Sequence, residues 1–166
     1  MSLVQGASGD KNYFHWLFDI LPKIIITKSL INFNKIDYFY MPELQKFQKR
    51  TLSLLGIRNY KIINSKKNKH LEATKIIIPE HPWYFKGTIF NAANSIPGWI
   101  VKSLRKSFLK FNRKKKSLKI FIDRSESEYS HCQLVNNDEI KNFLSKRGFK
   151  ILRTGSLDFL KQVELF

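Results

Sequence analysis

Short strand-like runs alternate along this chain with amphipathic helical runs, and that alternation confines it to the α/β class. Ile36 to Tyr40 reads as a buried strand closed by Met41-Pro42. Glu43 to Leu55 follows as a helix with Leu44, Phe47, Leu52 and Leu55 inward, and Gly56 is its stop signal. Tyr60 to Ile63 and Ala73 to Ile78 read as further strands, the latter ended by Pro79, and His81 to Gly87 as an aromatic loop. Ser95 to Phe111 is helical, with Ile96, Ile100, Leu104, Phe108 and Phe111 tracing one apolar stripe. Asn112 to Ser117 is charged, without an apolar residue, and reads as a linker. The pattern then restarts. A strand over Leu118–Ile122, a polar loop, a helix over Asp138–Lys146 stopped by Gly148, a strand over Phe149–Leu152 and a helix from Leu157 complete it. Residues 1–111 and 118–166 are thus expected to be two separate parallel β/α layers joined by 112–117, the second of them incomplete. Phe159 to Phe166 is expected to be a helix cut before its end.

The stretch from Asn12 to Lys23 carries the sharpest chemistry. Asn12 suits an N-cap, and the helix it opens is expected to reach Leu30 with Pro22 kinking it. Within it His15 and Asp19 are four apart, one turn along the same helix face. A neighbouring carboxylate can orient a histidine and raise its basicity, as a general base requires. The same spacing also suits a buried helix whose His and Asp merely satisfy each other.

Apolar residues make up 43% of the chain, enough for a core and against global disorder. Runs such as Ile24–Ile26 and Ile76–Ile78 are far too short to span a bilayer. The first six residues lack the basic start and apolar centre of a secretory signal, and Met1-Ser2-Leu3 equally suits a cloning remnant. The single cysteine, Cys132, excludes an internal disulfide and suits a reducing compartment. The expectation is a cytoplasmic protein, peripheral at most at the inner membrane.

The net charge of +17 implies a negative partner or surface, whether nucleic acid, anionic lipid or a phosphorylated substrate, although heavy use of Lys, Asn and Ile throughout equally suits a compositional bias. Nine of the basic residues fall between Lys102 and Lys119 with no acid among them. That helix and its basic tail have three readings: an apolar stripe packed in its own domain with a solvated basic face, a contact with anionic lipid, or phosphate contacts with nucleic acid. Of the external partners, an anionic membrane met through Lys102–Lys119 is expected ahead of nucleic acid.

A second site candidate is the loop after Leu118–Ile122. Ligands of open α/β sheets bind at the carboxyl ends of strands, where Arg124 can fork onto a phosphate and Ser125 can add a hydroxyl. Asn136 to Glu139 then opens a helix whose N-terminal amides favour an anion. A polar surface loop with an ordinary N-cap fits the same residues. His15, His70, His81 and His131 have no His or Cys partner at ligand spacing, so no metal site is expected. No P-loop, dinucleotide fingerprint or Gly-x-Ser-x-Gly elbow is present, and no cofactor is called for.

Taken in order, these residues resemble glycosyltransferase family 61. Asn12-Tyr13-Phe14-His15-Trp16 with Asp19 and Leu21-Pro22 looks like its N-terminal motif. Phe47-Gln48 with Leu52, Leu55, Gly56 and Ile57 looks like the helix and turn that follow. Ile122 to Ser125, Asn136 to Glu139, Gly148-Phe149, then Gln162-Val163 with Phe166 continue the likeness over essentially the whole chain. Two departures stand out: His131-Cys132-Gln133 falls where the family usually has a basic residue or pair, and the chain ends before the family's Gly-His-Gly-rich segment. The resemblance implies a Rossmann-like first domain of a two-domain, GT-B-like fold, acceptor side first, plus the start of a donor-binding domain. It implies an inverting, metal-independent transferase of polysaccharide or capsule synthesis, using a nucleotide-sugar donor and a glycan or lipid-linked acceptor. His15 would be the base, Asp19 its orienting partner, and Arg124, Ser125, Asn136 and Glu139 the donor contacts. A chain cut at Phe166 would be inactive by itself. The reading of a different class, resting on charge alone, is a non-catalytic basic module for nucleic acid or anionic membrane.

Overall fold

Two parallel strand pairs, each with one crossover helix, organise the described part of the chain. A computed structural model describes residues 1–4, 11–83, 95–109, 118–125 and 133–165. The chain divides into two compact units, Met1–Leu109 and Lys110–Phe166. The expected linker 112–117, the end of the Ser95–Phe111 helix, Tyr84, Phe85 and His131-Cys132 lie outside the described residues.

In the first unit, β1 (Phe39–Met41) pairs in parallel with β2 (Ile62–Asn64), Phe39 opposite Ile62 and Met41 opposite Asn64. The crossover helix α3 (Lys46–Leu54) starts at a capping box, in which the Gln45 backbone N–H donates to the Gln48 side-chain oxygen at 2.7 Å. It ends where Gly56 takes φ +88°, its N–H donating to Ser53 O and the N–H of Ile57 to Leu52 O. Only glycine adopts that backbone without cost, and the paired bonds satisfy the last carbonyls of the helix. The second unit repeats the device. There β3 (Ile120–Ile122) pairs in parallel with β4 (Lys150–Leu152) across α5 (Asn137–Ser145), and Gly148 at φ +77° closes α5 with bonds from Gly148 N to Ser145 O and Phe149 N to Leu144 O. The last helix is α6 (Phe159–Leu165). The result is a mixed α/β fold with small parallel sheets, consistent with Rossmann-like units.

One expected strand is absent: Ala73–Ile78 forms no strand. Its backbone is tied to the sheet by the Ser2 N–H, which donates to Ile77 O while Leu3 N bonds Tyr40 O. Ile76 and Ile78 stay 60% and 72% exposed. The β-branched run supplies propensity, but without a ladder partner among the described residues propensity does not make a strand.

The N-terminal helix also departs from expectation. Asn12 caps it, its side-chain oxygen accepting from Phe14 N at 2.9 Å and His15 N at 3.2 Å. After α1 (Tyr13–His15), however, Trp16–Ile20 winds as a π-turn before α2 (Leu21–Leu30) begins. The irregularity has a covalent cause. Pro22 has no N–H to offer Phe18 O, and its ring crowds that carbonyl. Phe18 O accepts instead from the Trp83 indole at 3.3 Å. The expected kink at Pro22 is therefore a widened turn just ahead of it, and π-turns of this kind are frequent at functional sites. Trp16 anchors the turn from within: it is 2% exposed, and its indole N–H donates to Thr51 Oγ1 at 2.9 Å.

Helix α4 (Gly98–Phe108) packs against α2 with Ile100 and Phe108 buried, which accounts for its apolar stripe. Lys102, Arg105 and Lys106 remain exposed on it. Among the described residues no helix is long and apolar enough to cross a membrane.

Candidate active site

The π-turn brings His15 onto Asp19. Nδ1 of His15 lies 2.7 Å from Asp19 Oδ2, with the imidazole about one-third exposed and the carboxylate almost fully buried. A carboxylate oxygen only accepts, so Nδ1 carries the proton and Nε2 is the basic nitrogen of the neutral ring.

Asp19 has further partners that the sequence did not indicate. The Trp83 indole N–H lies 3.3 Å from Oδ1, and His81 Nε2 is 3.5 Å from the same oxygen. The other His81 nitrogen, Nδ1, is hydrogen-bonded to the carbonyl of Trp83. Asp19 is thus held by the His15 imidazole on Oδ2 and by the indole N–H on Oδ1, where His81 Nε2 can add a donor only when that imidazole is protonated, because its Nδ1–H is given to the Trp83 carbonyl. His81 and Trp83 belong to the segment read from sequence as an aromatic loop, more than sixty residues away. The only signal was their composition, a histidine and a tryptophan flanking a proline.

In the second unit Asp123, directly after β3, is a buried hub. Its Oδ1 accepts from Ser125 N at 3.0 Å and Asn137 Nδ2 at 3.2 Å, and Oδ2 from Arg153 Nε at 3.3 Å. The Ser125 backbone N–H first, then its hydroxyl, Asn137 and Arg153, hold the Asp123 pKa well below the usual carboxylate range. A depressed folded value means that the ionised carboxylate stabilises the unit above its ordinary pKa of 3.8, and that this contribution falls away as acid carries the pH below it. Asp123→Asn is expected to lower the urea midpoint of this unit at pH 6 and to shrink the difference between pH 6 and pH 3. A variant whose midpoint keeps the parent's pH response would remove Asp123 as the cause.

The residues expected on the donor side gather around this hub. Arg124 and Ser125 line a small cleft of about 120 Å³ with Gln133 and Asn137. Ser125, Asn136 and Glu139 line an open one of about 590 Å³ with Lys141. Asn136 does not cap α5 with its side chain, contrary to the ordinary N-cap reading; its amide approaches Glu139 at 3.5 Å instead. Asp138 and Glu139 put two carboxylates in the first turn of α5, which opposes the expected attraction of that end for an anion. Arg153, at the carboxyl end of β4, was missed; its place just after a strand was the available signal. Among the described residues no group of His, Cys, Asp and Glu is arranged to hold a metal ion.

Comparison with known families decides the wider context. The family model described as Glycosyltransferase 61 matches residues 13–166. The chain belongs to glycosyltransferase family 61. Comparison with curated proteins and with solved structures gave no match. As a family 61 chain it carries the His15–Asp19 pair in its first unit and the Asp123–Arg124–Ser125 turn in its second, each held by partly buried hydrogen bonds.

Proposed function

We propose that the protein takes part in sugar transfer from a nucleotide-sugar donor to a hydroxyl of a glycan or lipid-linked acceptor, with inversion at the anomeric carbon. What carries the reading is the 2.7 Å contact between His15 and buried Asp19 in a family 61 chain. His15 Nε2 would take the acceptor proton as its oxygen attacks, while Asp19 holds the ring and balances the imidazolium that forms. Arg124 and the Ser125 hydroxyl would meet the departing diphosphate, and Asn136 and Glu139 the hydroxyl groups of the donor, where a carboxylate is an asset. The scheme assigns acceptor binding to the first unit and donor binding to the second, as in a two-domain GT-B-like enzyme, and gives no step to a metal. Polysaccharide or capsule synthesis is the setting it suits. The exposed Lys102, Arg105 and Lys106 would meet anionic lipid at the cytoplasmic face of the inner membrane.

The donor side is tested by nucleotide binding. Arg124→Ala is expected to weaken UDP or GDP by about tenfold, the worth of one charge-assisted hydrogen bond. Calorimetry on the parent and the variant measures it. Equal affinities would take Arg124 out of the donor site.

A further inference from the structure

Asp19 serves two imidazoles. His15 reaches its Oδ2 from within the π-turn through Nδ1 at 2.7 Å, and His81, from a distant segment, faces its Oδ1 through Nε2 at 3.5 Å. The two histidine side chains are 34% and 37% exposed, whereas that of the carboxylate between them is 7% exposed. A charge so placed is weakly screened, and both rings feel it.

The His81 ring is fixed in that position. Its Nδ1 meets the carbonyl of Trp83, which only accepts, so the proton of the neutral ring sits on Nδ1. Trp83 in turn is 8% exposed, and its indole N–H lies 3.3 Å from both Phe18 O and Asp19 Oδ1. The imidazole and the indole lie with ring centres 5.5 Å apart. In the neutral ring Nε2 turns a lone pair toward a carboxylate oxygen, which attracts nothing. One proton on Nε2 makes the contact a charge-assisted pair, with both N–H groups of the imidazolium facing acceptors. The other charges beside His81 pull in both directions. Glu80 on its own segment favours that proton, Lys23 on α2 and Lys75 oppose it, and all three line one cleft with His81. Burial lowers the Lys23 pKa, with Asp19 pulling it the other way. These charges are the same whichever histidine is replaced, so they set where the two rings titrate and not whether the rings are coupled.

We propose that His81 is a positioning residue of the base: with Asp19 between the two rings, a proton on His81 Nε2 claims the carboxylate and weakens the hold of His15 on a proton. The inference rests on reading His15 as the base, and it gives that base its full strength only while His81 is neutral. Two groups that share one counter-charge titrate as a pair, each sensing whether the other is charged.

NMR of the full 166-residue chain tests it without any substrate. The imidazole C2–H signals of His15, His70, His81 and His131 are followed across the histidine titration range, and histidine replacements assign them. In His81→Gln, whose amide keeps a donor but carries no charge, His15 is expected to hold its proton at least about threefold more tightly than in the parent. In His15→Gln, His81 is expected to gain by the same factor, because coupling between two sites is reciprocal. Should one variant lose the parent's circular dichroism spectrum, the other still reads the coupling. A His81 with a structural role alone would lower the urea midpoint on replacement and leave the His15 curve where it was. A His15 curve that superimposes on the parent's or moves to lower pH overturns the proposal, as do unequal gains in the two variants. Each of these outcomes leaves the transferase reading intact. Reciprocal gains in proton binding together with full turnover in His15→Gln would do the reverse, ending the assignment of His15 as base while the shared carboxylate stands.

Discussion

His15→Ala is expected to lower the turnover of sugar transfer by about 10²–10⁴-fold, the usual contribution of a positioned general base. Donor binding should hardly change, because the diphosphate contacts assigned to Arg124 and Ser125 belong to the other unit. Asp19→Asn is the companion variant. The amide keeps the size of the carboxylate but can turn its NH₂ toward His15 Nδ1, which would favour the tautomer with the proton on Nε2, the nitrogen needed as base. It also removes the charge that balances the imidazolium. Its turnover should therefore fall in the same direction, with a pH profile displaced from the parent's. His15→Gln discriminates further: it fills the space and can hydrogen-bond, yet takes up no proton in this pH range. If it transfers sugar as fast as the parent, His15 is a structural partner of Asp19 and the base lies elsewhere. His81, on the other oxygen of Asp19, is then the next group to replace.

How much of this was legible follows from what each signal depends on. Local backbone chemistry was readable. Asn12 caps the helix that bears His15, and Gly56 and Gly148 close the crossover helices at positive φ, because these outcomes need only the residue and its neighbours. The parallel pairing of β1 with β2 and β3 with β4 followed from strand–helix–strand order. The Ala73–Ile78 run misled because a strand is a property of two segments, and among the described residues this one is met by the Ser2 N–H at its Ile77 carbonyl and forms no ladder. Pro22 announced a disturbance but not its form, since the π-turn depends on the distant Trp83 accepting the role of donor to Phe18 O. The same distance hid His81 and Trp83 from the site. Asp123 was visible as part of a polar turn, yet its role as a buried hub needed Asn137 and Arg153 to arrive from α5 and β4.

Trp16→Ala is expected to cost about 3–5 kcal/mol of the first unit's stability, the range for deleting a buried aromatic side chain. Trp16 lies on the inner side of the π-turn, edge-on to Phe47 with ring centres 6.4 Å apart and planes at 87°. Its removal would leave a large void between the turn and α3, which cannot collapse freely because α3 is fixed at both ends by its capping box and Gly56. Two milder variants separate packing from hydrogen bonding. Trp16→Phe keeps most of the ring and loses the N–H. Thr51→Val keeps the ring and leaves the buried indole N–H without its acceptor, at a cost of about 1–3 kcal/mol. The Thr51 hydroxyl donates to Gln48 O, so Thr51→Val also removes that bond, whereas Trp16→Phe leaves it in place. Urea unfolding followed by far-UV circular dichroism gives the three values for the first unit. A Trp16→Ala loss below about 1 kcal/mol would show that the turn is held by its backbone and Pro22, not by the indole. If the loss is as large as expected, the seat of His15 and Asp19 is set by a core residue between them in sequence. Turnover should then fall in Trp16→Ala even where the unit remains folded, because a general base displaced by an ångström no longer meets its proton.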